Sequence, residues 1–306
     1  MISKFRIGAL VIILNFFASV AMIWGQDNPS LLQMAVPSLN IAPDARGGGM
    51  GDMGAATLPD INSQYWNAAK YAFMGSKAGV SLSYTPWLRK LVNDVALVNM
   101  TGYYKLGNSD LQAISASLRY FSLGEVNIWE NIGDVPYGLN PYEMAFDVAY
   151  SRKLSESYSM AVTLRYIRSD MGTDQNDESN AGNAFSADIS GYLEKYVLMG
   201  NAEALWSFGF NLSNIGSKIS YDGGNTNQYL PAKLTLGTGL LYPIDDYNQI
   251  GVYLDLNKYM VPYAPQKEEG ETDADYQTRV DDYKSWSSLS GMLKSFTDSP
   301  NGLLKE

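Results

Sequence analysis

From about residue 78 the chain alternates apolar and polar residues in runs of roughly ten, separated by turn-rich breaks. In "YEMAFDVAYS" the residues Tyr142, Met144, Phe146, Val148 and Tyr150 fall on one face. Glu143, Ala145, Asp147, Ala149 and Ser151 fall on the other. "YSMAVTLRY" repeats the pattern with Tyr158, Met160, Val162, Leu164 and Tyr166, and "ALWSFGFNLSN" with Trp206, Phe208, Phe210 and Leu212. The periodicity predicts strands near 78–86, 94–104, 111–121, 142–152, 157–168, 184–194, 202–213, 232–242 and 249–259. A soluble sandwich buries the apolar face of such strands, whereas a membrane barrel turns that face to lipid and lines its interior with small and polar residues.

Three features favour the barrel. Tyrosines bracket the apolar stripes, as Tyr142 with Tyr150 and Tyr158 with Tyr166. Eight residues rise about 26 Å along a strand, or about 20 Å across a membrane at a typical tilt, close to the apolar band between aromatic girdles. The connections alternate between short ones ("LGNSD", "KLSES", "VLMGN", "PIDDYN") and mostly longer ones, as a barrel with tight periplasmic turns and larger outer loops requires. Finally, Asp147, Arg165, Asp188 and Asp255 sit mid-strand on the polar face, where a polar lumen can pair them.

The N-terminus adds a destination. Lys4 and Arg6 precede an almost wholly apolar run from Ile7 to Trp24, closed by Gly25 and a polar Gln26-Asp27. This is the pattern of a cleaved signal peptide, with a membrane anchor as the competing reading. Residues 1–25 are therefore expected to be a signal peptide, 26–77 an N-terminal extension, and 78–306 an incomplete barrel ending in an extracellular loop. No strand pattern follows residue 259, and further strands are expected beyond Glu306. Within 260–306, Tyr276, Val280 and Tyr283, then Trp286, Leu289, Leu293 and Phe296, have helical spacing and predict one or two helices.

Composition removes several chemistries. The 306 residues contain no histidine and no cysteine, which excludes Ser-His-Asp and Cys-His catalytic groups, disulfides, thiolate zinc and histidine metal sites within this chain. Net charge is −10 with no long basic run, so no nucleic-acid partner is expected. Twenty-two tyrosines and 28 glycines suit an all-β protein. Gly49-Met50-Gly51-Asp52-Met53-Gly54 spells G-x-G-x-x-G, but no strand pattern precedes it and Pro59 follows too soon for a stable helix, so a dinucleotide site is not expected. The loop carrying Asp170, Asp174, Asp177 and Glu178 offers hard oxygen ligands without EF-hand spacing and reads as a solvated acidic loop. No cofactor or metal is expected.

The stretch "IAPDARGGGMGDMGAATLPDINSQYWNAAKYAF" (41–73), with "NLSNIGSKISYDGG" (211–224) and "LPAKLTLGTGLLYP" (230–243), resembles signatures of the PorV (LptO) family, outer-membrane proteins of the Bacteroidetes type IX secretion system. The resemblance implies an all-β fold, a transmembrane antiparallel β-barrel of FadL-like type with about fourteen strands, about nine of them here, and the N-terminal segment folded inside as a plug. It implies a non-enzymatic shuttle in the outer membrane of a Gram-negative bacterium. Its partners would be the type IX translocon, the C-terminal signal domains of secreted cargo, a surface attachment complex with a sortase-like protease, and outer-membrane lipid.

On this reading Gly47, Gly48, Gly49, Gly51 and Gly54 allow turns with positive φ and close approach to the barrel wall, while Tyr65 and Trp66 anchor the plug's end. The partner-binding surface is expected on the outer loops. Its exposed residues would be Ile128, Trp129, Val135 and Tyr137 in the 122–141 connection, and Tyr221 and Tyr229 in the 214–231 connection. The rival function is a FadL-like outer-membrane transporter of hydrophobic small molecules, which needs an apolar pocket in the lumen. The Ala, Gly, Ser and charged residues of the polar faces argue against one.

Overall fold

A computed structural model describes residues 32–87, 90, 94–107, 110–128, 135–172, 181–200, 202–224, 226–268 and 270–297. The run expected to be a signal peptide, Trp129, and Asp174, Asp177 and Glu178 of the acidic loop lie outside the described residues. Nine strands form one antiparallel sheet: β1 (Ala78–Pro86), β2 (Val95–Leu106), β3 (Gln112–Leu123), β6 (Tyr142–Lys153), β7 (Tyr158–Asp170), β8 (Gly182–Met199), β9 (Ala202–Gly216), β10 (Lys233–Pro243) and β11 (Gln249–Tyr259). They pair in sequence order, with β1 and β11 at the two edges. Gly107 and Gly200, both at positive φ, close the short turns after β2 and β8.

Each predicted segment is a strand, with most ends within two residues. The largest difference is β8, which runs to Met199 where a break was expected, because its end pairs with Ala202–Leu205 of β9. The 122–141 connection is not simply a loop. It holds a short hairpin, β4 (Val126–Ile128) with β5 (Tyr137–Leu139), too brief to show a periodic pattern.

The two faces are inverted relative to a water-soluble sheet. Val80, Leu82, Leu164 and Phe185 are 70%, 72%, 66% and 68% exposed on one face. On the other face Asn99, Ser117, Asp147, Arg165, Asp188 and Ser207 are buried. Register lines up the outward rows. Tyr84, Val98 and Tyr120 form one row across β1–β3, and Tyr104, Ile114 and Tyr150 another across β2, β3 and β6. Val98 and Tyr104 are six residues apart along β2, so the two rows lie about 20 Å apart along the strand. On the described strands the outward charged residues are Arg152, Arg168, Asp170, Lys195 and Lys258, all near strand ends or turns rather than between those rows.

Residues 34–74 cover the polar face. They contain a 3₁₀ turn (Pro37–Asn40), a short helix (Ala45–Gly49), a second (Ser63–Trp66) and a 3₁₀ stretch (Ala68–Phe73). The first helix was not expected, since Gly47, Gly48 and Gly49 were read as allowing turns with positive φ. Asp44 offsets this by capping it, its Oδ2 accepting from Gly47 N at 2.8 Å.

This segment also shows that the sheet curves. A path from β1 to β11 runs from Ser83 Oγ to Pro43 O, through Asp44 to the Trp66 indole, across to Gly54 and on to Asp255. Fully stretched, that path is about 28 Å. Nine flat strands would hold β1 and β11 about 38 Å apart, so the sheet bends around the segment.

The predicted C-terminal helices are present at Asp273–Ser285 and Ser288–Lys294. In the second helix the expected apolar stripe is turned: Leu289 and Leu293 are exposed, and Gly291 and Met292 face inward. The lack of a side chain at Gly291 lets the Tyr229 ring pack against the backbone, and a Cβ there would meet the ring at 2.7 Å.

Candidate functional site

The buried surface between residues 34–74 and the polar sheet face is densely hydrogen-bonded, and it centres on Trp66. Its ring lies against Gly47 and Gly54, where a Cβ at either glycine would overlap the indole. Its Nε1 donates to Asp44 Oδ1 at 2.7 Å, and its carbonyl accepts from Asn211 Nδ2 of β9 at 3.1 Å. Asp44 thus caps the short helix with one oxygen and holds the indole with the other. Of the five glycines expected to supply turns, Gly51 alone has positive φ, while Gly47, Gly48 and Gly49 are helical. The close approach that requires Gly47 and Gly54 is to Trp66 rather than to the sheet. Gly48, Gly49 and Gly51 are exposed.

The contact between segment and sheet is made by strand glycines. A Cβ on Gly209 of β9 would run into the backbone of Ala55, and one on Gly237 of β10 would overlap Asp255 Oδ1 and press against Ala55 and Ala56. Beside them Asp255 Oδ2 of β11 accepts from Gly54 N and Ala55 N at 2.8 and 2.9 Å, and Ser207 Oγ donates to Ala56 O at 2.7 Å. Asn67 Nδ2 donates to Ala55 O at 2.8 Å and to Gly191 O of β8 at 2.9 Å. Farther along, Ser159 Oγ donates to Ala69 O at 2.7 Å and Lys105 Nζ to Met74 O at 2.8 Å. Short polar residues on the strands therefore satisfy the irregular backbone of the segment, as its burial demands.

Two clusters hold the charges. Tyr65 packs edge-on against Trp66, with ring centroids 4.7 Å apart, and donates to Leu39 O at 3.1 Å. The Arg119 guanidinium sits 4.5 Å from the Tyr65 ring centroid and donates to Ser38 O at 2.7 Å, while Glu143 Oε2 accepts from Ser38 N at 3.0 Å. Burial pushes the Tyr65 and Tyr71 hydroxyls up from the usual tyrosine range. In the second cluster Arg165 bridges two carboxylates, Asp147 at 2.6 Å and Asp188 at 2.9 Å. Ser117 Oγ and Asn214 N complete their hydrogen bonds. The mid-strand charges read from the sequence are thus Arg165 with two aspartates, plus Asp255 on the segment's backbone.

Lys70 was not legible as a site residue. It is fully buried, with Nζ donating to Gly54 O at 2.8 Å and Thr57 Oγ1 at 3.1 Å. Burial lowers its pKa to about 8. A cavity of about 30 Å³ remains between segment and sheet, lined in part by Asp52, Tyr65, Arg119, Arg165, Lys233 and Asp255. It has room for a few water molecules and none for an acyl chain.

The three sequence stretches that carried the family resemblance meet here, since Asn211 bonds Trp66 and Gly237 abuts Ala55. The profile of the PorV family, described as type IX secretion system protein PorV, matches residues 25–267. The chain belongs to the PorV family. No curated protein matches it.

The loop residues of this PorV-family chain are placed less uniformly than expected. Val135 is exposed, and Ile128 and Tyr137 are backbone partners in the β4–β5 hairpin. Tyr221 is half-buried, its hydroxyl donating to Ser169 Oγ at 3.0 Å. Tyr229 corrects the expectation of exposure. It is buried beneath Gly291, with Tyr283 edge-on at 5.7 Å and Lys218 Nζ 4.3 Å from its ring centroid. The C-terminal helices cover it, which the local spacing of the 214–231 connection could not reveal.

Proposed function

We propose that this chain is a non-enzymatic outer-membrane shuttle of the type IX secretion system. It receives cargo through the cargo's C-terminal signal domain and delivers it to a surface attachment complex with a sortase-like protease. Family membership supports the pathway. The inverted sheet, apolar outside and polar inside, carries the membrane part of the reading. In it the sheet is part of a FadL-like barrel facing lipid, residues 26–77 form the extension and plug within it, and residues 1–25 are the signal peptide. The closely packed, hydrogen-bonded contact around Trp66 supports a plug that stays in place. The small charged cavity favours the shuttle over a transporter of hydrophobic molecules.

Cargo capture is assigned to the outer loops, above all the 122–141 connection with exposed Val135 and the 260–306 region. The test is retention of a purified cargo C-terminal domain on the immobilised chain. Retention is expected for the intact chain and lost on deleting 126–137 together with 260–306. Capture that survives both deletions overturns the loop assignment.

A further inference from the structure

The short-turn ends of the strands are not level. β2 runs two residues past its last partner in β1, β6 one past its last partner in β3, and β10 two past its last partner in β9. β8 runs six residues past Leu193, its last partner in β7, and stays paired with β9 as far as Met199. The β8–β9 hairpin therefore stands out from the sheet on its β7 side. Glu194 N still donates to Ser157 O at 2.9 Å, so the backbone groups of Glu194 point toward β7. Backbone direction alternates along an antiparallel strand, and the register is regular here, so the N–H and C=O of Tyr196 and Leu198 point the same way. No described residue bonds them.

The same two residues carry exposed apolar side chains. Tyr196 and Leu198 follow Tyr192 and Glu194 on the polar-face side of β8. Tyr192 is fully buried, with the Phe73 ring edge-on at 5.5 Å, whereas Tyr196 and Leu198, past the end of that cover, are 68% and 75% exposed. On the opposite face Lys195 pairs with Trp206, whose indole donates to Thr238 Oγ1 at 3.1 Å. A lysine beside a tryptophan suits the boundary of an apolar band, so in the membrane reading the hairpin beyond them stands in the periplasm. An open apolar edge in water is a template for a further strand, and Tyr196–Met199 contains neither the proline nor the charge that would blunt it.

We propose that this edge takes up an extended segment of a periplasmic protein, which adds as a strand beside Lys195–Met199. The edge itself selects the occupant. Its alternating backbone donors and acceptors match an extended chain and neither a lipid nor a helix, whose own backbone groups are already used. The segment needs about five residues, the length of an open edge of about 17 Å, with apolar side chains opposite Tyr196 and Leu198. Two copies of this chain in one membrane point their hairpins the same way and could pair them only in parallel, the less stable arrangement. The periplasmic side rests on the membrane reading above, and the strand addition does not.

The test uses the purified full chain in detergent and, as probe, a short dye-labelled peptide of alternating valine and threonine flanked by lysines. Fluorescence anisotropy reads binding. The peptide should bind, and the same peptide N-methylated at every residue should not. Leu198→Pro removes an edge N–H that β9 does not use and should weaken binding about tenfold, while the β9 amides keep their hydrogen-exchange protection. Tyr196→Ser should weaken it less. Equal binding of the methylated peptide, or undiminished binding by Leu198→Pro, overturns strand addition in favour of side-chain adhesion. No binding by the intact chain overturns it outright. A dimer of the intact chain that Leu198→Pro dissociates overturns the partner in favour of a second copy. The side is read separately. The chain lacks cysteine, so Met199→Cys supplies a single thiol. It should react with a membrane-impermeant maleimide only after the outer membrane is permeabilised. Labelling in intact cells overturns the periplasmic placement and leaves the strand addition standing.

Discussion

Residues 34–74 and residues 260–297 both lie outside the sheet's strands, yet they are held in opposite ways. The first is locked from nearly every side: Ala56, Ala69, Tyr71 and Lys70 have no exposed surface, and strand side chains take up its backbone groups. The second rests on the structure by few points. The helix Asp273–Ser285 buries no residue, and its neighbour buries Gly291 and Met292 against Tyr229, Ala232 and Met260. Irregular backbone is fixed where polar side chains replace water, and it is only tethered where water still reaches it. That contrast makes the N-terminal segment a part of the scaffold and the C-terminal helices a sparsely anchored surface.

The contrast can be broken most severely at Trp66. Trp66→Ala removes the ring that fills the space beside Gly47 and Gly54 and the bond to Asp44, a loss of about 3–5 kcal/mol. Hydrogen exchange of amides 44–73 should then approach that of the C-terminal helices, while the strands stay protected. If exchange there is unchanged, the indole is not the anchor. Asp255→Ala should come next. It leaves the amides of Gly54 and Ala55 without an acceptor at a cost of about 2–3 kcal/mol, whereas Asp255→Asn keeps an oxygen in place and should lose less. Protection of those two amides is the measurement. Equal loss in both variants would mean that geometry rather than the acceptor holds them.

How much of this the sequence carries follows from the range of each interaction. Strands were legible because alternation is local, and Tyr142 through Tyr150 announce their faces without help from any other element. The pairing of Arg165 was half legible: a mid-strand arginine in a row of small residues implies a partner, but Asp147 and Asp188 meet it only through the register of β6, β7 and β8. Gly47 and Gly54 were read as allowing turns and close approach to the barrel wall, but the close approach is to the Trp66 indole, whose position relative to them depends on the folding of the intervening residues. Lys70 gave no signal, since a lysine between alanines looks solvated until the fold closes over it. Tyr229 looked exposed because the helix that covers it lies about sixty residues later.

Lys70 separates the two regions by pH. Its folded pKa of about 8 lies below the 10.5 of a free lysine, so the charged form is disfavoured in the docked segment. Below about pH 8 both states carry the proton and docking bears the whole desolvation cost, on the order of 3 kcal/mol. Between about pH 8 and 10.5 the unfolded state binds more protons than the folded one, so stability rises with pH across that window. Amides 54–57 should therefore gain protection there, after correction for the intrinsic exchange rate, and the C-terminal helices should show no such gain. Lys70→Met should flatten the profile of the segment. A profile that stays steep in that variant assigns the effect to another group.

The smallest effect is expected at the start of the Asp273–Ser285 helix. Thr272 Oγ1 accepts from Asp275 N at 3.2 Å and satisfies one of the free amides of the first turn. Thr272→Ala should cost about 1 kcal/mol, felt by that helix alone because it buries nothing against the sheet. Its amides should exchange about fivefold faster, while those of Ala56 and Ala69 keep their rates. The value of this variant lies in that locality. If protection of the N-terminal segment fell as well, the two regions would be one cooperative unit. The tethered helices would then be part of what keeps the segment in place, linked through Lys218, which donates to Lys284 O at 3.2 Å, and Tyr229, whose carbonyl accepts from Ala35 N at 2.9 Å.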